Sequence, residues 1–187
     1  MPEELKPPYT GGGISTHVLL WKPEFGPHIA TVSHIWAMIE MNLADLMMWM
    51  ERLGSLASVN EYLSIYRFDL RVSKISAAAK NVLPQYLQDK LPEMFKKLTV
   101  CHSERNRLAH ARWAENWAFP DGIIMLPHAE EFFAGKKSIW LYKIKDFVEI
   151  ERRLVAAEGE THALSYSVYE LLAERERQSL SQTQPPQ

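Results

Sequence analysis

The sequence predicts an all-α protein, an up-and-down helical bundle with a small β-hairpin inserted between its third helix and its last. Three observations lead there. Apolar residues recur at spacings of three and four from His28 to Leu53, from Pro92 to Trp113 and again from about Asp146, each time marking one face of an α-helix. Between the last two of these stretches a Pro-Asp-Gly turn at 120–122 separates two β-capable runs, and "SIWLYKI" supplies another. Finally, 187 residues at 47% hydrophobic, with 6 Trp, 7 Tyr and 7 Phe, can bury one sizeable core.

Residues 1–26 hold several prolines, the glycines at 11–13 and no sustained period, so they read as an N-terminal loop or arm, with "HVLLW" as the one candidate extended piece. Residues 27–178 form the helical domain. Its first helix, His28–Leu53, aligns Ile29, Val32, Trp36, Ile39, Leu43, Leu46 and Met50, and Gly54 suits the C′ position. Met38, Met41, Met47 and Met48 fall on its other faces, which calls for cover on two sides from a central bundle position or a partner chain. Ser58 with Glu61 reads as a capping box that opens a second helix to about Val82, with Leu63, Tyr66, Leu70, Ser73 and Ala77 inward. Pro92 suits the first turn of a third helix, which buries Met94, Phe95, Leu98, Cys101 and Leu108 and runs to about Trp113. In the last helix Phe147, Ile150, Leu154, Leu164 and Val168 keep helical spacing, and Gly159 either breaks it or is tolerated. Residues 179–187, polar and Pro-rich, are expected to be a disordered tail.

Several classes of function find no support. The single cysteine, Cys101, cannot form an internal disulfide, and no Cys/His spacing resembles a structural zinc site. The opening "MPEELKPPYTGGG" has no basic region followed by an apolar core, as a secretory signal would. Glu40, Asn42 and Asp45 interrupt the most apolar window, so it reads as a buried helix rather than a membrane span. A cytoplasmic protein without a membrane segment is the expectation. No phosphate loop and no Gly-x-Ser-x-Gly elbow is present. A net charge of −2 argues against coating nucleic acid through the whole surface, which leaves room only for a local basic site.

Positive charge does gather locally, in "SERNRLAHARW" at 103–113. Histidine titrates near neutrality, so it can take a proton from a 2′-hydroxyl or give one to a leaving 5′-oxygen. Arginine stays charged and offers a fork of donors to the negative charge that builds on phosphorus during in-line attack. Asparagine can hold a phosphate oxygen or a ring nitrogen. Along one straight helix, however, Arg105 and His110 diverge by about 140°; the guanidinium can reach partway round on its long stem, a fraying end at His110 changes the angle, or the two meet across a dimer interface. One histidine per chain cannot be acid and base at once unless it shuttles or a second copy helps, which again favours a symmetric dimer. Alanines 109 and 111 leave room beside the histidine.

These residues resemble the motif of the HEPN domain family: an arginine followed by a polar residue, then a histidine after four to six intervening positions, late in the third helix of an α-bundle. Here it reads "RNRLAH", Arg105 through His110, so the motif covers six residues while the architectural likeness spans about 28–178. The resemblance implies a HEPN-like bundle and a metal-independent endoribonuclease needing no cofactor, usually a homodimer with the two motifs facing across a cleft. It also implies RNA as substrate and a toxin or defence role under an antitoxin or regulatory protein. Arg105 and His110 become the catalytic pair and Asn106 their support. Arg107, His102 and Arg112 join as substrate-binding candidates by location alone. Some members of the family act instead as non-catalytic modules that bind RNA, nucleotide or a partner protein.

Plainer readings exist for each feature. Cations at a helix C-terminus complement its dipole, and that alone can account for the run. His28 and His34 have no carboxylate at ligand spacing and are expected to be packed or solvated. Trp113 and Trp117 can stack on bases, yet aromatic residues after a helix usually close a core. Glu40, on an apolar helix, needs a partner if it is buried, and a cationic motif on a neighbouring helix is one source.

Overall fold

The computed structural model of the protein describes residues 1–5, 17–51, 56–126 and 139–182. Its elements are β1 (Glu3–Leu5), α1 (Val18–Trp21), α2 (Phe25–Met50), α3 (Leu56–Leu63), α4 (Phe68–Val82), α5 (Gln85–Gln88), α6 (Leu91–Ala109), β2 (Arg112–Ala114), β3 (Gly122–Leu126), β4 (Ile139–Lys143) and α7 (Ile144–Gln182). The protein is mostly helical, with a four-stranded antiparallel sheet in the order β1-β4-β3-β2 where a hairpin was expected. Two compact units divide the chain: Met1–Ile35 with Ser103–Val155, and Trp36–His102 with Ala156–Gln187.

The first unit is built on the sheet. Ile124 pairs with Leu141 and Ala114 with Ile124, while Leu5 pairs with Ile139, so one face is a small aliphatic cluster, with Phe119 and Leu126 packed on it. Side chains alternate along a strand, which sends Trp113, Met125 and Tyr142 to the other face. There an aromatic cluster forms: Trp113 lies 5.4 Å from Tyr142 and 5.8 Å from Phe147 of α7, and Phe25 of α2 lies 5.8 Å from Phe147. Burial on both faces is why "GIIML" reads as a continuous apolar run rather than an alternation. The edge strand β1 comes from the arm expected to be loop, and "HVLLW" yields a helical turn, not an extended piece. Lys22, directly after that turn, donates from Nζ to the carbonyls of Phe119, Pro120 and Gly122 at 3.1, 2.8 and 2.5 Å. All three ammonium donors therefore hold α1 to the β2–β3 loop. At the start of α7 the buried Asp146 accepts from the Lys143 N–H at 2.9 Å, as a third-position carboxylate does in a capping box.

The second unit is helical. Trp36, Ile39, Leu43, Leu46, Met47 and Met50 of α2 are buried with Leu98 and Cys101 of α6 and Leu164 and Val168 of α7, as the spacing predicts. Met38 and Met41 remain exposed, so cover on two sides is confined to the later turns of α2. The single helix expected over 58–82 is two helices. Chain between Leu63 and Phe68 is non-helical, Tyr66 is 99% exposed, and the inward residues are Tyr62, Phe68, Ile75 and Ala79 instead of Leu63, Leu70, Ser73 and Ala77. Arg71 explains the break. It donates from Nε to the Ile65 carbonyl at 2.6 Å and from Nη2 to that of Leu63 at 3.3 Å, satisfying oxygens the helix end leaves unpaired. Its Nη1 pairs with Glu40 at 2.7 Å. Because α3 already covers residue 58, Ser58 stands within the helix and not at its cap. Gly159 is tolerated inside an uninterrupted α7, whereas Leu53, Gly54 and residues 183–187 lie outside the described residues.

Candidate nucleic-acid site

The third long helix stops earlier than its apolar period implies. α6 ends at Ala109, and the His110 N–H makes a last helical hydrogen bond to the Asn106 carbonyl at 3.1 Å. The Ala111 N–H reaches the Leu108 carbonyl at 3.4 Å, and the chain then enters β2, so Trp113 is a strand residue. Leu108 is buried and anchors the last turn. His110, in the turn, is exposed.

Around this end the arginines are disposed differently from one another. Arg105 donates from Nη1 to the Asn106 side-chain oxygen at 2.9 Å, while its buried Nε has no hydrogen-bond partner among the described residues. Arg107 lies over the sheet, its guanidinium 5.9 Å from the Trp140 ring and 5.8 Å from the Tyr142 ring, and its Nε is likewise unpartnered. Arg112 is exposed on β2. Glu104, the carboxylate nearest in sequence, is taken by Arg153 of α7 at 2.8 Å. Among the described residues, then, Arg105, Arg107 and Arg112 have no carboxylate partner, whereas Arg67, Arg71, Arg152, Arg153 and Arg177 each have one. An N–H donor buried without a partner typically costs about 1–3 kcal/mol.

The motif is brought together only in part. Arg105 and Asn106 are in contact, but no described side chain hydrogen-bonds the His110 ring. His102 belongs to the other unit, where its ring stacks 4.7 Å from Phe68 and 5.3 Å from Trp36; it fills an aromatic core position. Glu40 finds its partner in Arg71, not in this motif. Burial pushes the Tyr142 phenol up to about 12, with Arg107 opposing and Glu104 and Asp146 reinforcing the shift, so the phenol beneath Arg107 stays neutral through the physiological range.

Sequence reasoning missed the cavity beside the motif. About 410 Å³ lies between α1, with His17 just ahead of it, and the segment Ala111–Trp113. The only signal for it was the apolar "HVLLW"; nothing in the local sequence announces that Lys22 fixes this wall. No three His, Cys, Asp or Glu side chains gather as metal ligands among the described residues, and none of the described helices is long and apolar enough to cross a membrane. The chain matches no family model, no curated protein and no solved structure.

Proposed function

We propose that this chain is a HEPN-type endoribonuclease, an up-and-down bundle in its helical part, acting in the cytoplasm as a homodimer and without a metal. The observation that carries the reading is the set of uncompensated arginines at the end of α6, next to an exposed histidine in the turn. In the reaction the 2′-oxygen attacks phosphorus and the P–O5′ bond breaks, leaving a cyclic phosphate and a 5′-hydroxyl. His110 takes the 2′-hydroxyl proton, and a histidine, from the second copy or the same one, gives a proton to the 5′-oxygen. Arg105 neutralises the scissile phosphate. Asn106 positions Arg105, a role that their 2.9 Å hydrogen bond supports, and Arg107 and Arg112 add field. An antitoxin or regulatory protein as controlling partner belongs to the same reading.

The test is digestion of single-stranded RNA in excess chelator. Wild type should cut and leave cyclic phosphate ends, and His110→Ala should lose roughly 10²–10⁴-fold in rate with unchanged circular dichroism. Equal cutting by that variant, or a strict magnesium requirement, removes the mechanism. The absence of any described side chain holding the His110 ring favours one second reading, a non-catalytic module that binds RNA, nucleotide or a partner protein through the same arginines. RNA bound by wild type, released by Arg105→Ala and never cut would establish it.

A further inference from the structure

The cavity of about 410 Å³ beside the motif belongs to the first unit and has a wall unlike the rest of the surface. On one side stand Val18, Leu19 and Leu20 of α1; on the other are Ala111, Arg112 and Trp113. Among the described residues, Arg112 and His17 are the basic residues that line it, and no Asp or Glu does. Small-ligand sites typically enclose about 300–1,000 Å³, with apolar walls and few polar groups, and this one fits that description.

The wall is held rigidly. Lys22 ties α1 to three carbonyls of the β2–β3 loop. Trp113 is wedged against Tyr142 and Phe147 at 5.4 and 5.8 Å. Leu20, which lines the cavity, is 77% exposed. A pocket with aliphatic and aromatic walls and two basic residues, Arg112 and His17, fits a flat heterocycle carrying an anionic group. Proteins that read single-stranded RNA receive unstacked bases in this way, on aromatic and aliphatic surfaces with arginine on the phosphate.

We infer that this cavity receives one unstacked nucleotide of a single-stranded RNA, its base against Leu19 and Trp113 and its phosphate on Arg112. Its placement rests on the nuclease reading: Ala111 lines the cavity and directly follows His110, so the nucleotide held here neighbours the scissile phosphate. The cavity thereby positions the strand and selects the base beside the cut.

Three probes test it on the full-length wild type: adenosine monophosphate, uridine monophosphate, and a single-stranded 2′-O-methyl RNA oligomer, which offers no 2′-hydroxyl and stays intact. Calorimetric titration should show both mononucleotides binding and the oligomer binding more tightly. Arg112→Ala should weaken each by about tenfold or more, and Arg112→Lys should restore part of the loss. Leu20→Trp, which fills the mouth, should abolish mononucleotide binding with circular dichroism unchanged. Binding indifferent to both sites, or no binding at all, overturns the inference. An oligomer that binds no better than the mononucleotides assigns the cavity to a free nucleotide and overturns the strand placement. Cavity-dependent binding by a chain that never cuts RNA removes the nuclease reading and leaves the nucleotide site standing. Cutting that ignores Arg112 and Leu20 does the reverse.

Discussion

Arg105 and Arg107 are two residues apart on α6, so they point to nearly opposite sides of the helix, and the structure uses them differently. Arg107 covers the rings of Trp140 and Tyr142, an interaction worth about 0.5–2 kcal/mol as burial increases. Arg107→Ala should therefore lower the free energy of unfolding by about 1–2 kcal/mol in a urea titration. Arg105→Ala, which deletes an unpartnered buried N–H, should stay within about 0.5 kcal/mol of wild type while losing RNA affinity. Equal destabilisation by the two would deny this division of labour. Tyr142 makes a second residue-scale prediction. The folded state holds its proton more tightly than the unfolded chain, so the stability it contributes is complete below pH 10 and is lost as pH rises through about 12. Tyr142→Phe should leave the midpoint at neutral pH almost unchanged, because the hydroxyl has no partner, and flatten the fall in Tm between those pH values. A Tm profile as steep as wild type would contradict it. The motif itself was legible because Arg105, Asn106 and His110 are neighbours in sequence. The role of Arg107 was not, since its rings come from β4, and the aromatic setting of His102 is equally non-local.

At the scale of elements, legibility followed how local the deciding interaction is. α2, α6 and α7 are long and keep one apolar period over many turns, so their existence followed from spacing alone, although Trp113 pairs in β2 with β3 and α6 ends at Ala109. The α3–α4 break depends on Arg71, six residues beyond the carbonyl it caps, and the resulting phase change exposes the face that an unbroken helix would bury. β1 is three residues long and is defined by pairing with β4, more than a hundred positions away, so no local pattern marks it. Two glycines test the element descriptions in opposite directions. Gly159 lies on an exposed turn of α7 with nothing within 4 Å of an added Cβ, so Gly159→Ala should raise stability by about 0.5–1 kcal/mol. At Gly122 the added Cβ would meet Leu141 Cδ1 at 2.6 Å and the Tyr142 carbonyl oxygen at 2.8 Å. Because the second contact is backbone, Gly122→Ala should cost about 1–3 kcal/mol. Thermal denaturation of the pair reads both signs, and a stabilising alanine at 122 would mean β3 and β4 do not pair as described.

For the molecule as a whole, the net charge of −2 means that an RNA substrate, as proposed, would be attracted only where charge is locally uncompensated, and one copy of the motif offers a single histidine at that place. A two-proton reaction at a shared site therefore makes a quantitative demand on oligomeric state. If two copies of the α6 end build one site, each inactive variant lacks a different component: Arg105→Ala keeps both histidines and His110→Ala keeps both arginines. Unfolding the two variants together and refolding them yields roughly half mixed dimers when association is random and symmetric. Those mixed dimers contain one intact arginine and one intact histidine on opposite copies, so cutting should reappear in the mixture, though absent from either parent, when that one histidine carries the proton from the 2′-oxygen to the 5′-oxygen. Should mass measurement show the mixed dimers forming while the mixture stays inactive, a composite site served by one shuttling histidine and the arginine of the opposite copy is excluded. Recovery that falls on dilution, in step with dissociation of the dimer, would tie the activity to the paired state rather than to a trace of refolded wild type.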